Sequence, residues 1–193
     1  SLRGPAGKHM KFAGIVKVVT DGQISAERNL SVSNARETII YITGATDYNL
    51  NELNFDRKID PLAKCEQLIL AATKKGFDVI LQDHLADHSS MMQRFDLHLG
   101  ENAALDTLPT DQRLVQVQQG SEDPGLVALY TQYGRYLLMG SSRAPGKLPA
   151  NLQGIWSDGM EAPWNADYHV NINLQMNYWP AEVGNLPETA LPV

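Results

Sequence analysis

The spacing of apolar residues changes near residue 57, from a period typical of strands to one typical of helices. Residues 10–43 contain the runs FAGIVKVVT, QISAERNLSV and ETIIYIT, with β-branched residues frequent and turn residues between them. This pattern predicts a β-meander of about four strands with a turn at Asp21-Gly22. Because so few strands bury little apolar surface by themselves, we expect a partner sheet upstream.

Two helices are predicted after the strands. Asp60 supplies a capping carboxylate, Pro61 suits the first helical position, and Gly76 follows two lysines at the end. The apolar side of this helix is expected to be buried, and it consists of Leu62, Cys65, Leu68, Ile69 and Ala72. A second helix opens at Asp78 and has an apolar side of the same period, made by Leu81, Leu85, Met92 and Phe95. The pair is expected to link the strands to the rest of the chain.

Residues 100–140 predict a loop followed by a helix. Residues 100–120 are polar, contain Pro109 and show no period, which indicates a loop or domain junction. Asp123-Pro124 opens a helix that ends at Gly140. Glycine in a helix costs about 1 kcal/mol relative to alanine, so Gly134 predicts that another backbone packs closely there. The inward face is predicted to consist of Leu126, Leu129, Tyr130, Tyr133 and Leu137.

Residues 141–183 predict a long loop and one further helix. Residues 141–164 are rich in Pro, Gly, Ser and Asn, and irregular loops of this length inside a domain are usually functional. A helix is then expected from Ile172 or Asn173 to Val183, with Met176 and Trp179 facing inward.

Composition and charge exclude several classes of partner. The net charge is -6, the sequence pI is about 5.3 and no run of Lys or Arg occurs, which argues against nucleic acid and anionic membrane surfaces as partners. One cysteine, Cys65, cannot form a disulfide within the chain and is expected to be buried. No apolar run reaches membrane-spanning length, and the first residues lack the apolar centre of a signal peptide. The compartment therefore stays unknown.

A histidine pair on the second predicted helix is a candidate metal site. His84 and His88 are four residues apart and share one face, and Asp87 could add an oxygen ligand. The metalloprotease pattern requires glutamate directly after the first histidine, where this chain has Leu85. A solvated or hydrogen-bonded pair is therefore favoured over a metal site.

Aromatic and amide side chains are concentrated between residues 148 and 188. All three tryptophans, Trp156, Trp164 and Trp179, lie there with His169 and six asparagines. Aromatic faces combined with side-chain amides suit a ligand that is apolar on its faces and polar at its edges, as a sugar ring is. Trp179 is predicted to be a core residue, whereas Trp156 and Trp164 flank the polar loop and are candidate ligand contacts.

The segment HVNIN, residues 169–173, alternates polar and apolar residues. In an extended segment His169, Asn171 and Asn173 would point to one side while Val170 and Ile172 point to the other. We therefore expect this segment to be extended, or just beginning a helix, where it meets a pocket.

Several motifs in this region together resemble glycoside hydrolase family 95, the inverting α-L-fucosidases. They are PANLQGIW (149–156), PWNADYH (163–169) and NIN-QMNYWPA (171–181), preceded by LYTQYGRYLLMGSSR (129–143). The resemblance implies an α+β, multi-domain fragment. Residues 1–56 would be the C-terminal part of a β-sandwich, residues 57–107 a helical linker, and residues 108–193 the start of an (α/α) six-hairpin toroid.

The same resemblance implies how the site residues divide the chemistry. Inverting hydrolysis needs an acid and a base about 6.5–9.5 Å apart, and in the family these are a Glu and an Asp that lie beyond Val193. Asn171 and Asn173 match the pair that orients that Asp and the attacking water, and His169 matches a residue lining the sugar site. The carboxylates nearest to this stretch receive no catalytic role: Asp158, Glu161, Asp167 and Glu182.

The implied substrate is a fucosylated oligosaccharide or glycan, particularly one with terminal α-1,2-linked fucose. The resemblance implies no metal and no organic cofactor. Two alternatives stay open: α-L-galactose specificity, which differs by one hydroxyl, and a sugar-binding fragment without catalysis. The parent enzyme is expected to be secreted or periplasmic. The isolated chain is expected to be inactive, because it would lack its acid and base and need the remainder of its catalytic domain as a partner.

Overall fold

The structure, a computed structural model, describes residues 2–6, 10–159 and 161–193 and contains strands followed by helices. The α+β class expected from the sequence is confirmed. The chain divides into two compact units, Ser1–Leu85 and Ala86–Val193, and the division falls within one helix. In the described part of the chain, no helix is both long and apolar enough to cross a membrane.

The first unit is built on a three-stranded antiparallel sheet in the order β1-β2-β5. Its strands are β1 (Leu2–Ala6), β2 (Met10–Thr20) and β5 (Thr38–Thr46). Two separate two-stranded pairs accompany it: β3 (Gln23–Ala26) with β4 (Leu30–Ser33), and β6 (Tyr48–Asn49) with β7 (Asn54–Phe55).

The predicted meander is wrong in its pairing. Strand β2 pairs with β5 and β3 pairs with β4, so that consecutive strands β2 and β3 are not neighbours. The Asp21 carboxylate accepts hydrogen bonds from the backbone N–H groups of Arg36 (2.9 Å) and Glu37 (3.1 Å). Those bonds hold the pKa of Asp21 below its usual value. Asp21-Gly22 therefore interrupts one arm of a long hairpin instead of reversing the chain.

One face of the sheet is covered by α1 (Pro61–Lys75), whose ends match the sequence prediction. Asp60 caps the first turn by accepting from Leu62 N at 2.9 Å. Cys65 is buried as expected, and its thiol donates to the carbonyl of Ala13 at 3.4 Å. Leu68, predicted to be buried, is exposed. The other face of the sheet carries Ile40 and Ile42, which are exposed. A partner sheet that would cover them stays a prediction.

The second unit contains the end of α2 (Phe77–Met92) and four further helices. They are α3 (Ala103–Asp106), α4 (Thr110–Gln118), α5 (Pro124–Ser141) and α6 (Asn173–Val183), with 3-10 turns at Pro163–Ala166 and Pro187–Ala190. The loop predicted over residues 100–120 is therefore wrong, since α3 and α4 lie within it.

A buried ion-pair group explains why that polar segment is ordered. Arg113 on α4 donates to both carboxylate oxygens of Asp123, at 2.6 and 2.8 Å, and to Asp106 at 3.0 Å. Asp123 also caps α5 by accepting from Leu126 N at 2.8 Å. The Arg113 guanidinium holds the pKa of Asp123 below its usual value. The ion pairs of Arg113 join residues that are seven and ten positions apart, which local patterns do not reveal.

The buried side of α5 differs from the predicted one. The buried residues are Leu126, Arg135, Leu138 and Met139, whereas Leu129, Tyr130 and Tyr133 are exposed. A Cβ added at Gly134 would meet nothing within 4 Å, so the expected close packing there is wrong among the described residues. The apolar side of α2 is likewise not a buried stripe, since Leu81 and Leu85 are exposed.

The core of the second unit joins the ends of three elements. Met91, Met139 and Leu186 are buried together, with Met92 packed against them. The guanidinium of Arg135 is buried beside this core. It donates to the carbonyl oxygens of Met91 (3.0 Å), Met92 (3.0 Å) and Gly184 (2.7 Å) and to the Gln132 side chain (2.6 Å). Burial lowers the pKa of this arginine. Its Cζ atom lies over the ring of Phe95, 5.1 Å from the ring centroid, in a cation–π contact.

Candidate functional site

The segment PANLQG, residues 149–154, is held against α6 by the Tyr178 hydroxyl. This hydroxyl accepts from Ala150 N at 2.6 Å and lies 2.6 Å from Ser142 Oγ. Since the Ser142 hydroxyl donates its one hydrogen to the carbonyl of Thr189 (2.8 Å), the Tyr178 proton points to Ser142. The chain of bonds Ala150, Tyr178, Ser142, Thr189 thus has one direction and joins four separate segments.

Further bonds fix the same segment on its other side. Asn177 on α6 donates to the carbonyl of Asn151 at 2.8 Å, and the backbone N–H of Leu152 donates to the carbonyl of Asp167 at 3.2 Å. The Tyr168 hydroxyl donates to the carbonyl of Pro149 at 3.2 Å. The first half of the long loop therefore has a defined position relative to α6.

Trp156 packs on α5. Its indole N–H donates to the carbonyl of Leu137 at 3.3 Å, and its ring lies 6.1 Å from that of Tyr136. A Cβ at Gly140 would lie 3.0 Å from the indole ring and one at Gly154 would lie 2.9 Å from it, so a side chain at either position would displace the ring. The side chain is still 46% exposed, which leaves part of one face free for a ligand.

Trp164 projects from a strained turn. Trp164, Asn165 and Ala166 have φ values of 49°, 54° and 52°, a left-handed conformation that costs non-glycine residues roughly 1–2 kcal/mol each. The Trp164 side chain is 73% exposed. Backbone strain of this kind is concentrated at functional sites, and the exposed indole has no core role in the second unit.

His169, Asn171 and Asn173 follow in the turn that leads into α6. The backbone N–H of Leu174 donates to the carbonyl of His169 at 2.9 Å, and α6 begins at Asn173. The expectation that a helix begins here is thus confirmed, whereas the alternative of an extended segment is wrong, because residues 170–172 form a turn. Two-residue alternation does not apply in a turn, so a common direction for the two amides remains a prediction. Both asparagines are exposed, and no side chain caps the helix.

A cavity of about 950 Å³ lies in the second half of the loop. Its polar lining residues are Asn151, Ser157, Glu161 and Asn165, and its apolar ones include Ile155, Ala162, Pro163 and Ala166. Gln153, next to this lining, donates to the carbonyl of Pro163 at 2.9 Å and ties the two sides of the loop together. None of the five residues selected from sequence lines this cavity, so it is a feature that the sequence analysis did not identify.

The four carboxylates near the site have different surroundings. Glu161 lines the cavity, whereas Asp158 and Glu182 are exposed side chains outside it. Asp167 holds the loop through its backbone carbonyl, which accepts from Leu152 N at 3.2 Å. The carboxylate arrangement therefore gives this segment a hydrogen-bond acceptor inside the cavity.

The metal hypothesis for the histidine pair has no support in the described ranges. Nowhere in residues 2–6, 10–159 and 161–193 do three His, Cys, Asp or Glu side chains lie together as a metal ion would require. Asp87 instead accepts two hydrogen bonds from Arg143, at 3.0 and 2.5 Å, and the His88 ring lies 6.1 Å from that of Tyr136.

Sequence reasoning missed the residues that position the site: Arg135, Ser142, Asn177 and Tyr178. Each is polar, and its side chain is partly or wholly buried in the second unit. The signal that could have found them is a polar residue at an inward position of a helix. Arg135 is an example, since it lies three residues from both Gln132 and Leu138 and so shares their face of α5. The predicted core residue Trp179 is 62% exposed and Met176 is exposed as well. Tyr178 and Asn177 take the inward side of α6, because they bind the loop.

The profile of the Glycosyl hydrolase family 95 catalytic domain matches residues 76–193. Alpha-L-fucosidase 2 of Arabidopsis thaliana is 36% identical over 96% of this chain and 23% of its own length. Probable alpha-fucosidase A of Aspergillus niger is 33% identical over 95% of the chain and 24% of its own length.

The corresponding Aspergillus oryzae protein is 37% identical over 78% of the chain and 20% of its own length. The chain thus spans about a quarter of the length of the curated relatives it matches. With the family profile covering more than half of its residues, the chain belongs to glycoside hydrolase family 95.

Proposed function

We propose that this chain is part of an enzyme that removes terminal α-L-fucose from glycans by inverting hydrolysis. The main support is the similarity to alpha-fucosidases, which extends over 96% of the chain in the Arabidopsis relative. This similarity includes the segment in which Asn171 and Asn173 lie exposed at the start of α6. The region from α5 to α6 would then form the first helices of the toroid, and the first unit the end of the β-sandwich and the linker.

The proposed contribution of the two asparagines is orientation. In inverting hydrolysis a carboxylic acid protonates the leaving oxygen while a carboxylate activates water on the opposite face of the sugar. Side-chain amides of Asn171 and Asn173 would accept from that water and donate to the base, holding both in line without titrating. The acid and the base would belong to the part of the family's domain that this chain does not contain.

The proposed sugar contacts are His169, Trp164 and Trp156. His169 is half-buried next to the two asparagines, and Trp164 offers an exposed indole face to an apolar side of the sugar. Fucose and L-galactose differ by one hydroxyl, which an apolar pocket rejects weakly. L-Galactose specificity is therefore the second reading of the same site.

The test of this division is the activity of the isolated chain. Purified alone, it is expected to hydrolyse no aryl α-L-fucoside, because the acid and the base are proposed to lie outside these residues. Turnover comparable to that of a full-length relative would show that both catalytic carboxylates lie within these residues. It would also overturn the proposed role of the asparagines.

A non-catalytic sugar-binding role is the alternative from another class, and the loop cavity with its amide and carboxylate groups favours it. Calorimetry of the full-length protein with free fucose, together with an assay on an aryl fucoside, separates the two functions. Binding without turnover would establish the binding module, and turnover with inversion at the anomeric carbon would establish the hydrolase.

A further inference from the structure

The cavity in the loop is separate from the residues proposed to contact the cleaved sugar. Its polar lining consists of two amides, a hydroxyl and a carboxylate: Asn151, Asn165, Ser157 and Glu161. Its volume of about 950 Å³ lies at the upper end of the usual range for ligand pockets, about 300–1,000 Å³. The cavity thus offers more room than a single terminal sugar requires, together with donors and acceptors suited to hydroxyl groups.

Hydrogen bonds to main-chain atoms hold the residues that line the cavity. Asn151 is fixed by the bond from Asn177 to its carbonyl, and its own side chain accepts from Gln153 N at 3.0 Å. On the opposite side Asn165 N donates to the carbonyl of Ala162 at 3.0 Å. Because these walls are fixed by main-chain bonds, the side chains facing the cavity are available to a ligand without prior ordering of the loop.

The charge of the region defines the ligand further. Glu161 is the one ionisable side chain among the described residues that line the cavity. Residues 148–193 contain no Lys or Arg, and their charged side chains are all acidic: Asp158, Glu161, Asp167, Glu182 and Glu188. A carboxylate accepts hydrogen bonds from sugar hydroxyls but repels another anion at short range. No cation of this segment could pair with a sialic acid carboxylate or a sulfate.

We propose that this cavity binds the neutral sugar residues to which the cleaved fucose is attached, and that Glu161 makes the enzyme discriminate against glycans carrying an anionic substituent there. The inference rests on the proposed function, since it concerns the remainder of the same substrate. Glu161 would accept a hydroxyl of the bound glycan, and the amides of Asn151 and Asn165 would donate to its other oxygens.

The test uses the full-length protein and three substrates. They are a neutral fucosylated oligosaccharide, the same oligosaccharide carrying one sialic acid, and α-L-fucosyl fluoride, whose leaving group is too small to occupy the cavity. In Glu161→Gln the preference for the neutral over the sialylated oligosaccharide, as a ratio of kcat/KM values, is expected to fall about tenfold. Glu182→Gln makes the same charge change on an exposed residue outside the cavity and is expected to leave the ratio unchanged.

A second variant tests occupancy without changing charge. Ala162→Trp places a large ring in the cavity at a residue with ordinary extended backbone (φ -73°, ψ 145°). It is expected to lower kcat/KM on the neutral oligosaccharide at least tenfold more than on fucosyl fluoride. Equal losses on both substrates, or a Glu161→Gln ratio within twofold of wild type, would overturn the cavity assignment while leaving the hydrolase intact. Failure of the wild-type protein to hydrolyse fucosyl fluoride would overturn the proposed function, and the inference with it.

Discussion

The second unit contains a helical frame, formed by α5 and α6, and a loop over residues 155–172. The two differ in the burial and hydrogen bonding of their side chains. Around α5 and α6, the frame buries Arg135, Ser142 and Leu186, and the side chains of Arg135 and Ser142 each have two or more hydrogen-bond partners. In the loop from residue 155 to 172, side chains such as Trp164 are exposed, and three successive residues are left-handed. The frame therefore holds buried, hydrogen-bonded groups, whereas the loop carries exposed groups such as Trp164.

This difference gives the site a division of labour. Residues that position the loop lie on the frame, and residues that would contact sugar lie where contacts within the chain are few. Stability and recognition should consequently respond to different substitutions.

Arg135→Met should break the frame. The substitution keeps a long unbranched side chain but removes the charged donors for the carbonyls of Met91, Met92 and Gly184. The carbonyl of Met91 keeps a second bond, from Arg94 N at 3.3 Å. The expected loss in the free energy of unfolding is about 3–5 kcal/mol, measured by denaturant titration. Arg28→Met, at an exposed position, is the control and should change it by less than about 0.5 kcal/mol. A loss below about 1 kcal/mol for Arg135→Met would contradict the role of this residue.

Tyr178→Phe should loosen the connection between frame and loop. It removes only the hydroxyl that accepts from Ala150 N and donates to Ser142. Leaving that buried N–H without an acceptor is expected to cost about 1–3 kcal/mol. The matched control is Tyr130→Phe on α5, whose ring is exposed, with an expected change near zero. Equal effects of the two variants in thermal denaturation would show that the Tyr178 hydroxyl does not anchor the loop.

These two predictions concern residues that the sequence did not identify, and the reason is physical. Helix ends were predictable because Asp60 with Pro61, and Asp123 with Pro124, form caps from residues next to each other. By contrast, the bonds of Asp21 that accompany the pairing of β2 with β5 reach residues distant in sequence. The same holds for the bonds of Arg113 that hold the helices of residues 100–120. The side of α5 that is buried was predicted wrongly, because Arg135 is polar yet occupies the core.

The candidate site was predictable in a different sense. The motifs containing Asn171 and Asn173 identified the family, and the start of a helix at Asn173 followed from local pattern. The cavity beside Glu161 could not be predicted, since it is formed by a loop whose left-handed residues Trp164, Asn165 and Ala166 carry no glycine signal.

The pH dependence of the frame provides a third test. The pKa of Asp123 lies below its usual value of 3.8 because Arg113 bonds its carboxylate. The contribution of the ionised Asp123 carboxylate to the free energy of unfolding is therefore complete above about pH 4 and is lost as the pH falls through the lowered pKa. Asp123→Asn retains a helix cap but not the charge. Melting temperatures of wild type and variant should therefore converge as the pH is lowered from 6 to 2, and a constant difference would contradict the assignment.

Two tryptophans in the loop allow the smallest effect to be compared directly. Trp164→Ala should change the free energy of unfolding by less than about 0.5 kcal/mol, because the side chain is mostly exposed. Trp156→Ala should cost about 1–2 kcal/mol, since its ring packs between Gly140 and Gly154 and its N–H bonds Leu137. Denaturant titration of both variants would test the comparison, and a larger loss for Trp164→Ala would reverse it.

The most direct measurement is the turnover of Asn171→Ala and Asn173→Ala in the full-length protein, with a fucosylated oligosaccharide as substrate. The account predicts that each substitution lowers kcat about 10²–10³-fold, because an oriented amide is lost from the transition state, while the melting temperature is retained. Gln175→Ala removes a neighbouring exposed amide on α6 and should leave kcat within about twofold of wild type. If Asn171→Ala and Asn173→Ala are folded and also keep kcat within about twofold, the two asparagines do not orient the reacting water.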